Sequence, residues 1–108
     1  MLERTRVEVY IPALSATAYQ NLLSTLELEF THACGGSSVF RGLQGSYLSR
    51  TGERVGDSIN VVYSDATLAL STDFVLVASY ANVLKRVAMA ALAEEAVLVS
   101  VYQVYHAV

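Results

Sequence analysis

The chain has 108 residues, of which 54% are hydrophobic and 16% charged, and its formal net charge is -3. That much apolar surface offsets the entropy of ordering one domain's length of chain, which excludes an intrinsically disordered protein. The acidic balance, with no basic run, argues against a nucleic-acid partner. A single cysteine excludes a disulfide framework.

The opening Met1-Leu2-Glu3-Arg4-Thr5-Arg6 leads into Glu8 rather than an apolar run, so no signal peptide is expected. The richest apolar window, Phe74 to Val101, carries Lys85, Arg86, Glu94 and Glu95. A bilayer span of about 20 residues tolerates few charges, so this window reads as a helix and then a strand of a soluble domain. The expected compartment is the cytoplasm, where Cys34 would stay reduced. With no repeat and no low-complexity segment, residues 1–108 read as a single domain.

Thr5 to Ile11 alternates. Thr5, Val7, Val9 and Ile11 share one face, and Arg6, Glu8 and Tyr10 the other, as in a half-buried strand that Pro12 ends. Thr17 with Gln20 three residues on has the spacing of a capping box. Tyr19, Leu22, Leu23, Leu26 and Phe30 then mark one face of a helix.

All six glycines lie between Gly35 and Gly56. Ser37 to Tyr47 reads as a strand bent or bulged at Gly42 and Gly45, and Arg50-Thr51-Gly52-Glu53 as the hairpin turn. Asp57 to Asp65 is the next strand, with Ile59, Val61 and Tyr63 on one face and Ser58, Asn60, Val62 and Ser64 on the other. After a connection from Asp65 to Thr72, Asp73 is the expected N-cap of a second helix reaching as far as Glu95. Its expected core stripe is Val77, Tyr80, Leu84, Val87, Ala88 and Ala91, with Leu76, Val83 and Ala90 beside it. Val97 to Val108 is the last strand.

The order β-α-β-β-α-β predicts an α+β, ferredoxin-like domain: a four-stranded antiparallel sheet with both helices on one face. With Val7, Val9 and Ile11 inward, the other face is expected to present Arg6, Glu8, Tyr10, Asn60, Val62, Leu98, Ser100, Tyr102, Val104 and His106. A fully solvated face would be more charged, so a second copy or a ligand is expected to cover it.

The run Gly35-Gly36-Ser37-Ser38-Val39-Phe40-Arg41-Gly42-Leu43-Gln44-Gly45-Ser46-Tyr47 resembles the second-strand motif of small uncharacterised bacterial proteins of cyanobacterial type. Their pattern is Gly-Gly-Ser/Thr-x-Val-x-x-Gly-x-x-Gly-x-Tyr/Trp. The ending from Glu94 through Tyr102 to Val108 is similar to that group as well. Length and element order resemble the PII-like signalling proteins and the divalent-cation-tolerance proteins more loosely. That resemblance implies trimers of ferredoxin-like subunits. Similar order occurs in dimeric α+β barrel proteins, some of them small oxygenases. The PII nucleotide site needs basic residues near the chain end, and Val97 to Val108 has no lysine or arginine, so ATP is not the expected ligand.

The candidate ligand-binding residues are Glu8, Tyr10, Arg41, Gly42, Gly45, Tyr47, Asn60, Tyr102 and His106. A carboxylate beside an imidazole in a partly apolar cleft has acid–base capacity, but tyrosines packing and bonding across an interface explain Glu8, Tyr10, Tyr102 and His106 more simply. His32 and Cys34 form an H-x-C pair short of a metal site's ligands, with His106 the only other histidine, so no metal is expected. Gly42 and Gly45 match no phosphate-binding fingerprint, and no helix follows them. No cofactor is expected, and a bulged strand accounts for these glycines. No serine elbow, H-E-x-x-H or C-x-x-C occurs. The leading expectation is a homo-oligomer, dimer or trimer, acting as a small-ligand-binding or regulatory module rather than an enzyme. A small enzyme of the dimeric α+β barrel type is the alternative, and a structural interaction protein the third.

Overall fold

The computed structural model describes residues 1–108. Its elements are β1 (Leu2–Pro12), α1 (Thr17–Cys34), β2 (Ser38–Leu48), β3 (Arg54–Ala66), α2 (Leu70–Leu92) and β4 (Val99–His106). The four strands form one sheet in the order β2-β3-β1-β4, with every neighbouring pair antiparallel. α1 lies over β3 and β1, and α2 over β4 and β1, so both helices cover one face. This is the ferredoxin-like βαββαβ fold. Its antiparallel pairing follows from two β-α-β crossovers interleaved around a central hairpin.

The core lies between helices and sheet. Val7, Val9 and Ile11 of β1 meet Leu22, Leu23, Leu26 and Phe30 of α1 and Leu84, Ala88 and Leu92 of α2, all buried. The helical stripe expected from Leu22 to Phe30 is the one the sheet buries. On α2 the expected stripe is only partly right, because Val87 and Ala91 are exposed while Leu92 is buried. α2 is long and apolar enough, by length and composition, to cross a bilayer. In this fold Val77, Leu84, Ala88 and Leu92 seat it on the domain instead.

Several local expectations fail for identifiable reasons. Thr17 makes no cap: the helix opens at Ala16 without a side-chain cap bond, and the Gln20 amide donates to the Leu14 carbonyl at 2.8 Å. Asp73 is not the N-cap of α2. A first turn from Leu70 precedes it, Asp73 is itself non-helical (φ -106°, ψ 20°), and its Oδ2 accepts the Ala69 N–H at 3.0 Å. The helix ends at Leu92, short of Glu95, where Ala93 turns left-handed (φ 52°). β4 accordingly starts at Val99 rather than Val97.

The bulge sits at Gly42 alone. Phe40 pairs with Val61 and Leu43 with Ile59, so Arg41 and Gly42 together oppose Asn60. Gly42 has φ +68°, where a side chain would be strained. Gly45 pairs in regular register with Asp57 and bends nothing. The hairpin turn is as read: Ser49 and Glu53 bond across it, and Gly52 supplies φ +84°.

The faces of β3 are the reverse of the expected ones. Val7 pairs with Ser64, Val9 with Val62 and Ile11 with Asn60. Partners across a strand pair share a face, so Asn60 and Val62 lie on the helix side, and both are buried. Ile59, Val61, Tyr63 and Asp65 face the other way. Both sets carry valine, so hydrophobicity alone did not distinguish them.

Candidate functional site

The sheet face away from the helices is the open face. Register places Arg6, Glu8 and Tyr10 of β1 there, beside Val61, Tyr63 and Asp65 of β3 and Ser100, Tyr102 and His106 of β4. At its centre is the Glu8 carboxylate, buried although no element covers it. Tyr10 donates its hydroxyl to Oε1 at 3.0 Å and Tyr102 donates to Oε2 at 2.8 Å. The shielding comes from these neighbouring side chains. Burial, then the bond to Glu8, raises the pKa of both phenols above the ordinary tyrosine range.

A second cluster adjoins the first. The Arg6 guanidinium grips Asp65 with two hydrogen bonds, Nε to Oδ1 at 2.7 Å and Nη2 to Oδ2 at 2.9 Å. His106 Nε2 reaches Asp65 Oδ2 at 2.7 Å. Arg6 holds the Asp65 carboxyl below its usual range, against burial, and His106 adds to the effect. Arg6 also lies 4.4 Å from the centre of the Tyr63 ring, and Phe40 stacks on that ring with centroids 5.5 Å apart. An unbroken run of contacts therefore links Phe40, Tyr63, Arg6, Asp65 and His106.

Of the nine expected residues, Glu8, Tyr10 and Tyr102 converge. His106 lies on the same face but bonds Asp65 rather than Glu8, so a Glu8–His106 acid–base pair is not formed. Asn60 is on the other side of the sheet, where its Oδ1 accepts the Gly42 N–H at 3.0 Å and stabilises the bulge. Arg41 is exposed on that bulge. Tyr47 and Gly45 lie out along the hairpin. Tyr47 pairs with Val55, eight residues along β3 from the Tyr63 that pairs with Glu8, which is about 26 Å at about 3.3 Å per residue. Two separate groups thus replace one site.

Sequence reasoning missed Asp65 and Tyr63 as members of the face. Asp65 read as the end of a strand, and Tyr63 followed β3's inverted face assignment. An Arg6 on the open side was the available signal, since a half-buried guanidinium needs an acidic partner. His32 is exposed in the last turn of α1 and Cys34 is half-buried, and burial pushes its thiol pKa up. No three histidine, cysteine or acidic side chains come together as a metal site would need.

The sequence matches no protein-family model and no curated protein. Among solved structures the chain is similar to the divalent cation tolerance protein Cut A1 of Thermus thermophilus. The TM-score is 0.52 at 17% identity, over 98% of this chain and 85% of that one. At that identity the likeness shows the fold.

Proposed function

We propose that the protein is a homo-oligomeric small-ligand-binding or regulatory module whose open sheet face is covered by a second copy of itself. One observation carries this reading: the charged groups at the centre of that face, Arg6, Glu8 and Asp65, already have hydrogen-bond partners within the chain. Glu8 is bonded by two tyrosines and Asp65 by Arg6 and His106, so burying them against a partner leaves neither carboxylate without hydrogen-bond donors. Around them lie apolar and aromatic side chains, with Phe40 57% and Leu43 50% exposed. Four strands at about 4.8 Å spacing and eight paired residues at about 3.3 Å give a patch on the order of 500 Å². Side-chain relief brings this toward the ~800 Å² that each partner contributes to a standard interface.

Bound ligand would meet Glu8, Tyr10, Tyr102 and His106 at this face, or Arg41, Gly42, Gly45 and Tyr47 where the hairpin arm reaches a neighbouring subunit. The loose resemblance to trimeric PII-like and divalent-cation-tolerance proteins supports assembly of this kind. A free thiol in Cys34 fits a reducing compartment such as the cytoplasm. Catalysis is the less favoured reading, because both Glu8 oxygens are occupied and the imidazole is engaged elsewhere.

Light scattering after size exclusion at micromolar concentration tests the proposal. A dimer or trimer is expected, and Phe40→Asp, which adds a charge at an exposed position, should give a folded monomer. A native chain that runs as a monomer throughout would overturn it. Ligand binding should appear as a rise in Tm with particular metabolites and no turnover.

A further inference from the structure

At the end of the open face away from His106 stands an acidic side chain that nothing in the chain answers. Both ion pairs of the protein fall on Asp65, and Glu8 is held by two tyrosines, but the Asp57 carboxylate has neither a hydrogen-bond donor nor a cation as partner. Asp57 is half-buried in the wall of a cleft of about 200 Å³, formed with Tyr10 and Pro12 of β1, Ile59 of β3, and Val97 and Leu98 just ahead of β4. Register brings these residues together. Pro12 pairs with Ile59, the Tyr10 N–H donates to the Leu98 carbonyl at 3.0 Å, and Asp57 lies two residues from Ile59, hence on the same side of β3. On β2 the partner of Asp57 is Gly45, where an added Cβ would meet nothing within 4 Å, so the space beside the carboxylate is open.

We propose that this cleft binds a small organic cation, an ammonium group carried on a single ring or a body of that size, with Asp57 as its counter-ion. The lining selects that class. None of its side chains is cationic, and the Tyr10 hydroxyl already donates to Glu8, so an anion finds no side-chain donor there. One carboxylate among apolar walls is too few oxygen ligands for a calcium or magnesium ion, which takes about six. A neutral apolar molecule would strip water from the carboxylate and give it no partner, which is costly, whereas an ammonium brings opposite charge and up to three donors. Tyr10 also contributes an aromatic ring, whose face attracts a cation. The volume suits one ring, since an apolar cavity of about 150 Å³ takes up benzene. This inference deepens the small-ligand reading above and rests on it, but it does not require the second copy.

The test is an NMR titration of the full chain with benzylamine and with benzyl alcohol, which has nearly the same shape and no charge. Benzylamine should give saturable shifts at Gly45, Asp57, Ile59 and Leu98. Asp57→Asn should weaken benzylamine about tenfold, the contribution of one charge-assisted hydrogen bond at a half-buried site, and leave benzyl alcohol unchanged. Leu98→Ala should weaken both probes. The proposal is overturned if benzylamine does not shift these residues, or if Asp57→Asn weakens both probes alike. It is also overturned if benzylamine fails to bind and Asp57→Asn lowers the mass in light scattering, which would assign Asp57 to the contact between copies. A rise in Tm with other metabolites, or a native dimer or trimer, alongside failure of benzylamine would overturn the cation site alone and leave the broader reading standing.

Discussion

Replacing Asp65 with asparagine removes one charge and almost no volume. Its partners are the two Arg6 hydrogen bonds and the His106 contact. Hydrogen bonds to charged groups contribute about 1.5–3 kcal/mol, and asparagine can still accept one of them. The Asp65 side chain is 14% exposed and that of Arg6 25%, so water screens part of the interaction. A loss of about 1.5 kcal/mol is the reasonable figure, which for a domain this size lowers Tm by roughly 6–10 °C. The pH dependence follows from the carboxyl's depressed pKa. Its stabilisation is complete above the unfolded value of about 3.9 and is lost as pH falls through the lower folded value. The gap between native chain and D65N should therefore hold steady through neutral pH and close in acid. Thermal melts at one fixed protomer concentration, near pH 7 and near pH 2, measure it, because assembly makes Tm concentration-dependent. A gap of only a degree or two at neutral pH, or one that persists undiminished in acid, would refute the reasoning.

Gly42→Ala should cost about 1–2 kcal/mol in urea denaturation, because φ is +68° there, although no atom lies within 4 Å of the added Cβ. Gly45→Ala, equally unobstructed and without positive φ, should change stability little, and equal losses at both sites would contradict the bulge assignment. Alkaline ultraviolet titration should show phenols ionising later than ordinary tyrosine, with Y10F and Y102F each removing one. Because those folded pKa values are raised, their contribution to stability is present below about pH 10 and is lost as pH climbs through them.

The fold was legible because its signals were local. Strict alternation from Thr5 to Ile11, a helical stripe from Leu22 to Phe30 and glycines confined between Gly35 and Gly56 each specify one element, and the order of elements specifies the topology. The site was only partly legible because it depends on pairing. Glu8, Tyr10 and Tyr102 were found from the inward set of β1 and the parity of β4. β3 defeated the same reasoning, since valines on both its faces leave the choice to register. Asn60 and Ser64 looked solvent-facing by type, yet both are buried and bonded, Asn60 to the bulge at Gly42 and Ser64 to the Gly36 carbonyl. Those long-range bonds could not be read from spacing. Thr17 and Gln20 had the spacing of a cap, but the chain leaving Pro12 brings the Leu14 carbonyl within reach of Gln20 instead.

The extra residue in β2 acts as a phase shifter. Ahead of it, even-numbered side chains such as Phe40 point to the open face; beyond it, odd-numbered Leu43, Gly45 and Tyr47 do. Were all of these residues to pair without the bulge, the outer half of the arm would swing over, trading Leu43 and Tyr47 for Gln44 and Ser46 on that surface. The aromatic and aliphatic character of a whole protruding ribbon thus hangs on one inserted unit of backbone, held in place by a single asparagine amide from the strand alongside.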